Sequence, residues 1–439
     1  MIPPPIGISE MNATFAATWY TPKKPASSGH RAASGSYTAA VQTCSTPSQE
    51  TNQMKVTQIK AYSVQGESGR DYFIVRVETD AGHYGLGEIG IRGWGLAITR
   101  AIEHLSELVL GADPWETERL WQEMFRSGFF PADTVYSCAI SAIDIALWDI
   151  KGKSIDKPVY RLLGGPVRNK VVCYPHVQGS EIPDVVESAK GLVGQGWKFL
   201  RWHNLETSPY SPDMNTVFDP LASARKTIES FAAVRDAVGW EVQLLLDVHT
   251  RLDPALTVQM CRELEEFKPY FIEDPARSEN PGTYRNLRRQ INLPIAAGEQ
   301  WGSKWPFRQV IEEDLIDYAR IDLCIVGGIT EALKITHWAE THYIDIVPHN
   351  PLGPVSAAAC VSLCMASTNV GVQEMPRQPG TTDSELFPRQ IEWDEGYSWC
   401  ADVPGLGVEF DIDVAERAYI KPSAVGRRFR RPDGAITNW

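Results

Sequence analysis

The sequence predicts an α/β protein in which a smaller α+β domain precedes a barrel of parallel strands and crossover helices. The barrel is indicated by five short apolar runs between residues 244 and 349, each long enough for one buried strand. They end in Asp247 and His249, Glu273, Glu299, Asp322 and His349. The intervals from Asp247 through Glu273, Glu299 and Asp322 to His349 are 26, 26, 23 and 27 residues, the length of one strand, one helix and two loops. We therefore expect these side chains at the same end of successive strands, where the active sites of barrels lie.

Length and composition are those of an ordinary globular chain, with 439 residues, 43% hydrophobic and 22% charged. Apolar runs all stay short of the ~18 residues that a membrane span needs, so no membrane partner is expected. The net charge of −13 is not offset by any basic block, which argues against a nucleic-acid partner. An anionic substrate would need a metal or specific Arg and Lys side chains to bind it.

The eight cysteines show neither the pairing of a metal site nor the framework of a small disulfide-rich domain. Cys360 and Cys364 lie at helical spacing in an apolar stretch. We expect buried free thiols and a reducing, cytoplasmic location.

The chain divides into four segments. Residues 1–53 are rich in Pro, Ser, Thr, Ala and Gly, which predicts a disordered leader, with a functional chain beginning at Met54. The leader is also Ser-rich and acid-poor, a weak likeness to an organellar transit peptide. Residues 54–168 show three alternating strands and then helices, typical of an α+β domain.

Residues 169–374 form the predicted barrel. Strand one is VVCYPHV, strand two KFLRWH, strands three to seven are the runs above, and strand eight is VGVQE, which ends at Glu374. The interval from His203 to Asp247 is 44 residues, so an insertion follows strand two and is placed to cover the mouth. Residues 375–439 lose the rhythm and are expected to pack back on the first domain.

Three carboxylates at neighbouring strand ends predict a metal site. Each acid alone could equally be a helix cap or a surface group, but Asp247, Glu273 and Glu299 share one spacing. The strand-end pattern places no cation between them, so they would repel one another unless an ion bound there. Hard oxygen ligands with open positions suit Mg²⁺.

Histidines and an arginine at the same strand ends are candidates for proton transfer and binding. A lone histidine is more often an ordinary polar residue, but Asp322 on the neighbouring strand could orient His349 as a general base. His249 lies two residues after Asp247 and faces the same mouth. Arg201 and His203 repeat this pattern on strand two, where Arg201 would bind substrate oxygen, because arginine is not a base at neutral pH.

Several motifs together resemble the enolase superfamily, in its mandelate racemase subgroup. They are AIDIALWDIKGK with LLGG, the Asp-x-His strand, IEDP, AAGE, the Asp322 strand with VGGIT, and PHNPLGP. Within the subgroup the likeness is to sugar-acid dehydratases, above all galactonate dehydratases and then mannonate dehydratases. The resemblance covers Met54 onwards and implies a modified TIM-like barrel, with a capping domain formed by the N-terminal and C-terminal segments.

The resemblance also implies roles for individual residues. Asp247, Glu273 and Glu299 would bind Mg²⁺, His349 with Asp322 would be the base, and His249 the acid. Glu374 corresponds to a carboxylate that contacts substrate near the metal. The implied reaction removes the proton α to the carboxylate of a sugar acid and eliminates the 3-hydroxyl to give a 2-keto-3-deoxy acid.

Departures from the family pattern leave the substrate open. Strand two carries Arg201-Trp202-His203 where related racemases have Lys-x-Lys and galactonate dehydratases Lys-x-Asn. Mannonate dehydratases pair an arginine here with a loop tyrosine, which Tyr210 could supply, although Tyr210 could equally be a packing residue. In the capping domain, the candidates for substrate contact are Arg92 and Trp94 and the loop with Phe129 and Phe130. These exposed aromatics could also serve an interface or pack internally.

Other readings remain alongside the dehydratase. An epimerase or racemase would use His203 opposite His349 as a second base. A metal-dependent hydrolase would need more histidines for a two-metal site, and a silent relative would only bind. A symmetric homo-oligomer is expected from the fold alone.

Overall fold

The computed structural model describes residues 53–130, 132–205, 215–422 and 428–438, without the side chains of Arg92 and Asn215. Residues 1–52 of the predicted leader, 1–53, lie outside the described residues, and so does the candidate Tyr210.

The first domain is a three-stranded antiparallel sheet covered by helices. Its elements are β1 (Val56–Gln65), β2 (Asp71–Thr79), β3 (Tyr84–Glu88), a 3-10 helix (Arg92–Trp94), α1 (Gly95–Val109), α2 (Thr117–Arg126), α3 (Thr134–Ser154) and α4 (Val159–Leu162). Alternate residues of β2 enter two different cores, since Phe73 and Val75 pack with the helices and Tyr72 and Ile74 with the barrel side. The period-2 alternation predicted from the sequence therefore buries both faces of this strand.

Two glycines let helix α3 lie directly on β3. A Cβ atom at Gly85 or Gly87 would stand 1.9 Å or 1.8 Å from the carbonyl oxygen of Ala146 or Ala142. Only glycine permits so close an approach of strand and helix. Helix α3 is consequently buried along nearly its whole length, between the sheet and the barrel.

The second domain alternates strands and helices. In chain order its elements are β4 (Val171–Tyr174), α5 (Ile182–Gly194), β5 (Phe199–His203), β6 (Asn215–Val217), α6 (Pro220–Val238), β7 (Gln243–Asp247), α7 (Pro254–Leu264), a 3-10 helix (Glu265–Phe267), β8 (Phe271–Glu273), α8 (Thr283–Arg288), β9 (Ile295–Ala297), α9 (Lys304–Glu312), β10 (Tyr318–Ala319), α10 (Gly328–Glu340), β11 (Asp345–Ile346), α11 (Pro354–Ala366) and β12 (Gln373–Glu374). Six strands form one parallel sheet in the order β11-β10-β9-β8-β7-β5, and β12 pairs in parallel with β4. Parallel bridges His176 to Arg201 and Ile346 to Val370 join the two sheets. Among the described residues, eight parallel strands thus close into the predicted barrel.

The interior of the barrel is filled by an apolar layer below the strand ends. Its buried members are Tyr174, Leu245, Phe271, Ala296, Val347 and Val372. Since side chains alternate along a strand, the next inward position after Leu245 is Asp247, and after Phe271 it is Glu273. The apolar floor therefore lies directly below the acidic strand ends.

The last part of the chain contacts both domains. Its elements are β13 (Glu392–Asp394), β14 (Tyr397–Trp399), α12 (Ile412–Arg417) and β15 (Arg428–Arg430). The carbonyl of Ala418 accepts a bond from the Gln65 amide at 3.0 Å, on the first domain. Strand β14 pairs with β4, and β15 pairs in parallel with β6, both in the barrel domain. The predicted packing of residues 375–439 on the first domain therefore does not hold for β15, because β6 offers it a free strand edge.

Other expectations can be compared directly with the structure. Seven cysteines are described, and all are buried and unpaired. No helix in the described part of the chain is long and apolar enough to cross a membrane.

Two buried aspartates of α3 bind it to other elements, Asp144 to the barrel domain and Asp149 to β3 and the last part of the chain. Asp144 accepts bonds from the backbone N–H and the hydroxyl of Thr330, at the start of α10, at 3.0 and 2.5 Å. Asp149 accepts from the amides of Leu86 and Leu406 at 2.9 and 2.8 Å, and its side chain is 1% exposed. Each carboxylate satisfies donors that would otherwise be buried without partners.

Replacing Asp149 by alanine is expected to lower the free energy of unfolding by about 3 kcal/mol, because two buried backbone N–H groups lose their acceptor. Urea unfolding followed by circular dichroism measures the change. Asp236→Ala, at an exposed position of α6, is the matched control and should stay within about 0.5 kcal/mol of the parent. Equal stability of both variants would contradict this account of the joint.

Candidate active site at the barrel mouth

The strand ends bring the predicted acidic residues together at one end of the barrel. Asp247 and Glu273 stand opposite each other in the register of β7 and β8, and His203 stands opposite Asp247. The side chains of Asp247, Glu273 and Glu374 are fully buried, and that of Glu299 is 11% exposed. The spacing argument from the sequence thus places these residues as expected.

Arg201 lies among these carboxylates. Its guanidinium group is 2.8 Å from Asp247, 3.5 Å from Glu273 and 3.3 Å from Glu374. Burial opposes its charge, but the surrounding carboxylates raise its pKa well above the ordinary value. The expectation that no cation separates the acids is therefore wrong, since the strand-two arginine points inward between them.

Arg320 is a second internal cation, which was not predicted from the sequence. Its Nη2 lies 2.6 Å from Glu273, 2.8 Å from Glu374 and 3.5 Å from Glu299. Its Nη1 donates to the Tyr174 hydroxyl at 2.9 Å and to the Val347 carbonyl at 3.2 Å. Arg320 is fully buried beneath the mouth. Through these contacts it links the ends of five barrel strands. The available signal was its place two residues before Asp322, on the same face of the strand.

Negative charge still exceeds positive charge at the mouth. Burial, together with the neighbouring carboxylates, raises the pKa of Glu299 well above its usual range, and burial also raises the pKa of Glu273. Burial likewise raises the pKa of Asp274, the residue after Glu273, well above its usual range. Within the described residues, Oδ2 of Asp247, both oxygens of Glu273 and Oε2 of Glu299 accept no well-aligned hydrogen bond.

These carboxylate oxygens, whose charge is only partly balanced, fit a hard divalent cation, which prefers carboxylate ligands. In the described part of the chain, however, no three His, Cys, Asp or Glu side chains are already gathered closely enough to hold one. The two guanidinium groups lie between the acids instead. The chemistry of the donors therefore matches Mg²⁺, while the arrangement shown is one in which arginines balance part of the charge.

His349 and Asp322 form a close pair. Nδ1 of His349 is 2.6 Å from Oδ2 of Asp322, and the second oxygen of Asp322 accepts from the Cys324 amide at 2.7 Å. Nε2 of His349 lies 3.4 Å from Oε2 of Glu299. A carboxylate on Nδ1 fixes the tautomer and the ring orientation, so that Nε2 is directed to the carboxylate cluster.

His249 contacts the opposite member of the cluster. Its Nε2 is 2.7 Å from Oδ2 of Asp247, and its ring stacks on His203 with centroids 5.4 Å apart. Burial lowers the pKa of His249 to about 3, although Asp247 acts in the other direction. The imidazole is therefore neutral near pH 7 until further negative charge arrives.

Glu374 is surrounded by protein donors. Besides the two arginines, it accepts from the Asn350 amide at 2.7 Å, and Nε2 of His176 lies 2.5 Å away. Burial raises its pKa, but Arg320 and Arg201 outweigh this effect and hold it well below the usual range. Its predicted contact with substrate stays a prediction. His176 was missed, although it is the second-to-last residue of the first predicted strand run and follows a proline, as His349 does in the seventh.

The remaining candidates lie on the first domain or outside the described residues. Trp94 ends the 3-10 helix after β3, and its side chain is 59% exposed. Its role in substrate binding stays a prediction, as does that of Tyr210, which is not among the described residues. Phe129 and Phe130 are 94% and 80% exposed and contact each other, so they do not pack in the interior of this chain.

Comparison with known proteins agrees with the fold. Residues 48–164 match the mandelate racemase/muconate lactonizing enzyme N-terminal domain, and residues 184–414 match the enolase C-terminal domain-like family. A D-galactonate dehydratase of Verminephrobacter eiseniae is 34% identical over 88% of this chain and 100% of its own length. A D-mannonate dehydratase of Caulobacter vibrioides is 33% identical over 84% of this chain and 96% of its own.

A solved structure is similar over the same region. It is an enolase from Pantoea ananatis with bound D-gluconate and Mg, 31% identical, with a TM-score of 0.81. The alignment covers 88% of this chain and 100% of that one.

Replacing Arg320 by methionine is expected to lower the free energy of unfolding by about 3–5 kcal/mol, because it leaves Glu273 and Glu374 buried with less compensation. Arg320→Lys keeps the charge but loses the fork of donors, and it should fall between the parent and Arg320→Met. Chemical unfolding in a chelating buffer measures both.

Arg308→Met is the matched control, because Arg308 is exposed and pairs with Glu312 across one turn of α9. Its effect should stay under about 1 kcal/mol. An Arg320→Met variant as stable as this control would contradict the role of Arg320 as the internal counter-charge.

Proposed function

The chain belongs to the mandelate racemase/muconate lactonizing enzyme family of the enolase superfamily, and from this premise we propose that it dehydrates a sugar acid of the aldonate type. The sugar-acid dehydratases among its relatives support this class. The observation that carries the proposal is the position of two imidazoles at opposite members of one carboxylate set. His249 lies against Asp247 and His349 against Glu299.

Asp247, Glu273 and Glu299 would hold the Mg²⁺ ion in this proposal. The ion would supply a Lewis acid that stabilises negative charge on the substrate carboxylate. Support comes from the buried carboxylate oxygens of these side chains, whose charge the arginines balance only in part, and from the Mg in the Pantoea relative. Arg201 would donate to the substrate carboxylate, because guanidinium groups bind carboxylates through paired donors.

His349 would take the α-proton at Nε2. The Asp322 carboxylate on Nδ1 stabilises the imidazolium that results. The electron pair left on the α-carbon then forms the new double bond as the C3–O bond breaks, and the 3-hydroxyl leaves as water after receiving a proton from His249. The enol product takes up a proton at C3 and loses the proton of its C2 hydroxyl, which gives the 2-keto-3-deoxy acid.

His249 must be protonated to act as this acid. Burial keeps it neutral in the structure described, but an anionic substrate beside it favours the charged imidazole. Substrate binding and proton uptake would therefore be linked. As a result, His249 would be protonated, and so able to act as an acid, only when substrate is bound.

Substrate configuration is set by residues beyond the carboxylate cluster. The relatives are named for galactonate and mannonate, and the solved one holds D-gluconate. Arg201 and His203 occupy the strand-two positions where the family varies. We assign the substrate to the six-carbon aldonates and propose a panel of stereoisomers as the direct test.

His349→Asn and His249→Asn are each expected to lower turnover of the active aldonate by roughly 10²–10⁴-fold, the range of general acid or base catalysis. Release of 2-keto-3-deoxy product in the presence of Mg²⁺ is measured with a carbonyl-specific reagent. His249→Asn should still exchange the α-proton with deuterated solvent, whereas His349→Asn should not, because only the base is lost there.

His337→Asn, on the exposed side of α10, is the control and should match the parent. Exchange of the α-proton without product in the parent protein would replace the dehydratase by an epimerase that uses His203. Neither exchange nor product across the panel would leave a binding protein.

Glu273→Gln is expected to weaken binding of Mg²⁺ by at least about tenfold, because it removes a charged ligand between the other two carboxylates. Isothermal titration calorimetry without substrate measures the affinity directly. Glu266→Gln, an exposed substitution before β8, should leave it unchanged. Equal Mg²⁺ affinity in the parent and Glu273→Gln would remove the metal from this position.

A further inference from the structure

The turn that carries His249 has an unusual backbone. His249 and Thr250 both have positive φ, at 53° and 55°. This left-handed region is disfavoured for side chains other than glycine, and most of all for β-branched residues such as threonine. Such a conformation persists only where surrounding contacts enforce it.

Contacts within the barrel hold the N–H side of this turn. The His249 amide donates to Oδ1 of Asp247 at 2.8 Å, and the Thr250 amide donates to the Asp274 carbonyl at 3.0 Å. The Val248 amide donates to the Glu273 carbonyl at 2.9 Å. These bonds fix the turn to β7 and β8 but leave the carbonyl of Thr250 to be satisfied elsewhere.

That carbonyl accepts a bond from a distant part of the chain, residues 428–438. Nδ2 of Asn438 donates to it at 3.1 Å, and Oδ1 of Asn438 accepts from Nη1 of Arg277 at 3.2 Å. Since arginine only donates, the amide oxygen must face Arg277, which leaves the NH₂ group for Thr250. The orientation of Asn438 is therefore fixed by its two partners.

The rest of this tail segment is well anchored on the barrel. Strand β15 pairs with β6, Phe429 is 1% exposed and packs on Phe218, and Arg251 lies over the Phe429 ring at 4.9 Å. Arg431 pairs with Asp253 at 3.0 Å. Asp253 is the N-cap residue of α7, but its side chain makes no capping bond. The tail is thus attached to Arg251, at the end of the 248–251 turn, and to Asp253, two residues after it.

We infer that Asn438 is a positioning residue, which holds the 248–251 turn in its left-handed conformation and thereby directs His249 into the mouth. The inference rests on the proposed role of His249 as the acid, but the state of the turn can be measured without any substrate. Asn438 itself touches neither Asp247 nor the carboxylate cluster in the contacts described, so its effect passes through the backbone.

Asn438→Asp is the sharpest test, because it keeps the oxygen facing Arg277 and removes the donor to Thr250. Asn438→Ala removes both contacts. Ile436→Ala is the matched control on the same tail, since Ile436 is 80% exposed. All are made in the full-length chain, and circular dichroism and thermal unfolding check that each folds.

Hydrogen–deuterium exchange of the backbone amides of residues 248–251 is the first measurement. In Asn438→Asp and Asn438→Ala we expect exchange faster by roughly tenfold or more, with β8 unchanged and Ile436→Ala like the parent. Parent-like exchange of the turn in Asn438→Asp would overturn the inference, whatever the activity shows.

Catalysis provides the second measurement. Both Asn438 variants should lose roughly 10–100-fold in elimination, through kcat, while exchange of the α-proton by His349 continues at the parent rate. Equal loss of both steps would mean general damage to the site and would also overturn the inference. If the parent turns over no sugar acid, the proposed function fails, but the exchange of the turn still tests Asn438.

Discussion

The arrangement of charge at the barrel mouth constrains the rest of the structure. Asp247, Glu273 and Glu374 are fully buried, and the guanidinium groups of Arg201 and Arg320 lie among them. An ion pair removed from water stabilises the fold only where geometry and further hydrogen bonds replace hydration. Arg320 meets this condition through Tyr174 and the Val347 carbonyl. The layer below the mouth is apolar and supplies no further charge. Each of the two arginines therefore forms ion pairs with several carboxylates at once.

Two histidine–carboxylate pairs stand on neighbouring strands and differ in their surroundings. Asp322 is shared between His349 and a backbone amide, so its charge remains available to the imidazole. Glu374 is already bound by two arginines, and burial with Arg201 lowers the pKa of its partner His176 to about 4. The first pair suits a base, because the charge of Asp322 can stabilise a protonated His349. The second pair suits a neutral hydrogen-bonding group, because two arginines already balance the charge of Glu374. The two imidazoles therefore suit different roles because their carboxylate partners have different surroundings.

The sequence predicted this mouth because two regularities are local. Strand alternation puts Leu245 and Asp247 on one face, and the length of a βα unit puts Asp247 and Glu273 in register. Arg320 was not predicted, because an arginine inside a short run reads as a surface residue unless the partners that neutralise it are known. Those partners come from β4, β8, β11 and β12, which are distant in the chain. The contact of Asn438 with Thr250 was not predicted for the same reason, since the two residues are distant in the chain and no local pattern connects them.

The joint between the domains determines where the site can adapt to a substrate. Helix α3 is fixed by Asp144 and Asp149, and moving it as a body would break buried hydrogen bonds at both of these residues. Two loops lie at the edge of the helical layer, one at Gly90 between β3 and the 3-10 helix and one before Thr134 between α2 and α3. A Cβ atom at Gly90 would meet Ile325, and one at Gly302 would meet Thr134, so both loops border the strand ends of the barrel. They carry the exposed Trp94 and, near Thr134, the exposed pair Phe129 and Phe130. Adaptation to different sugar acids is therefore expected in these loops, over a barrel and a helix α3 that stay fixed.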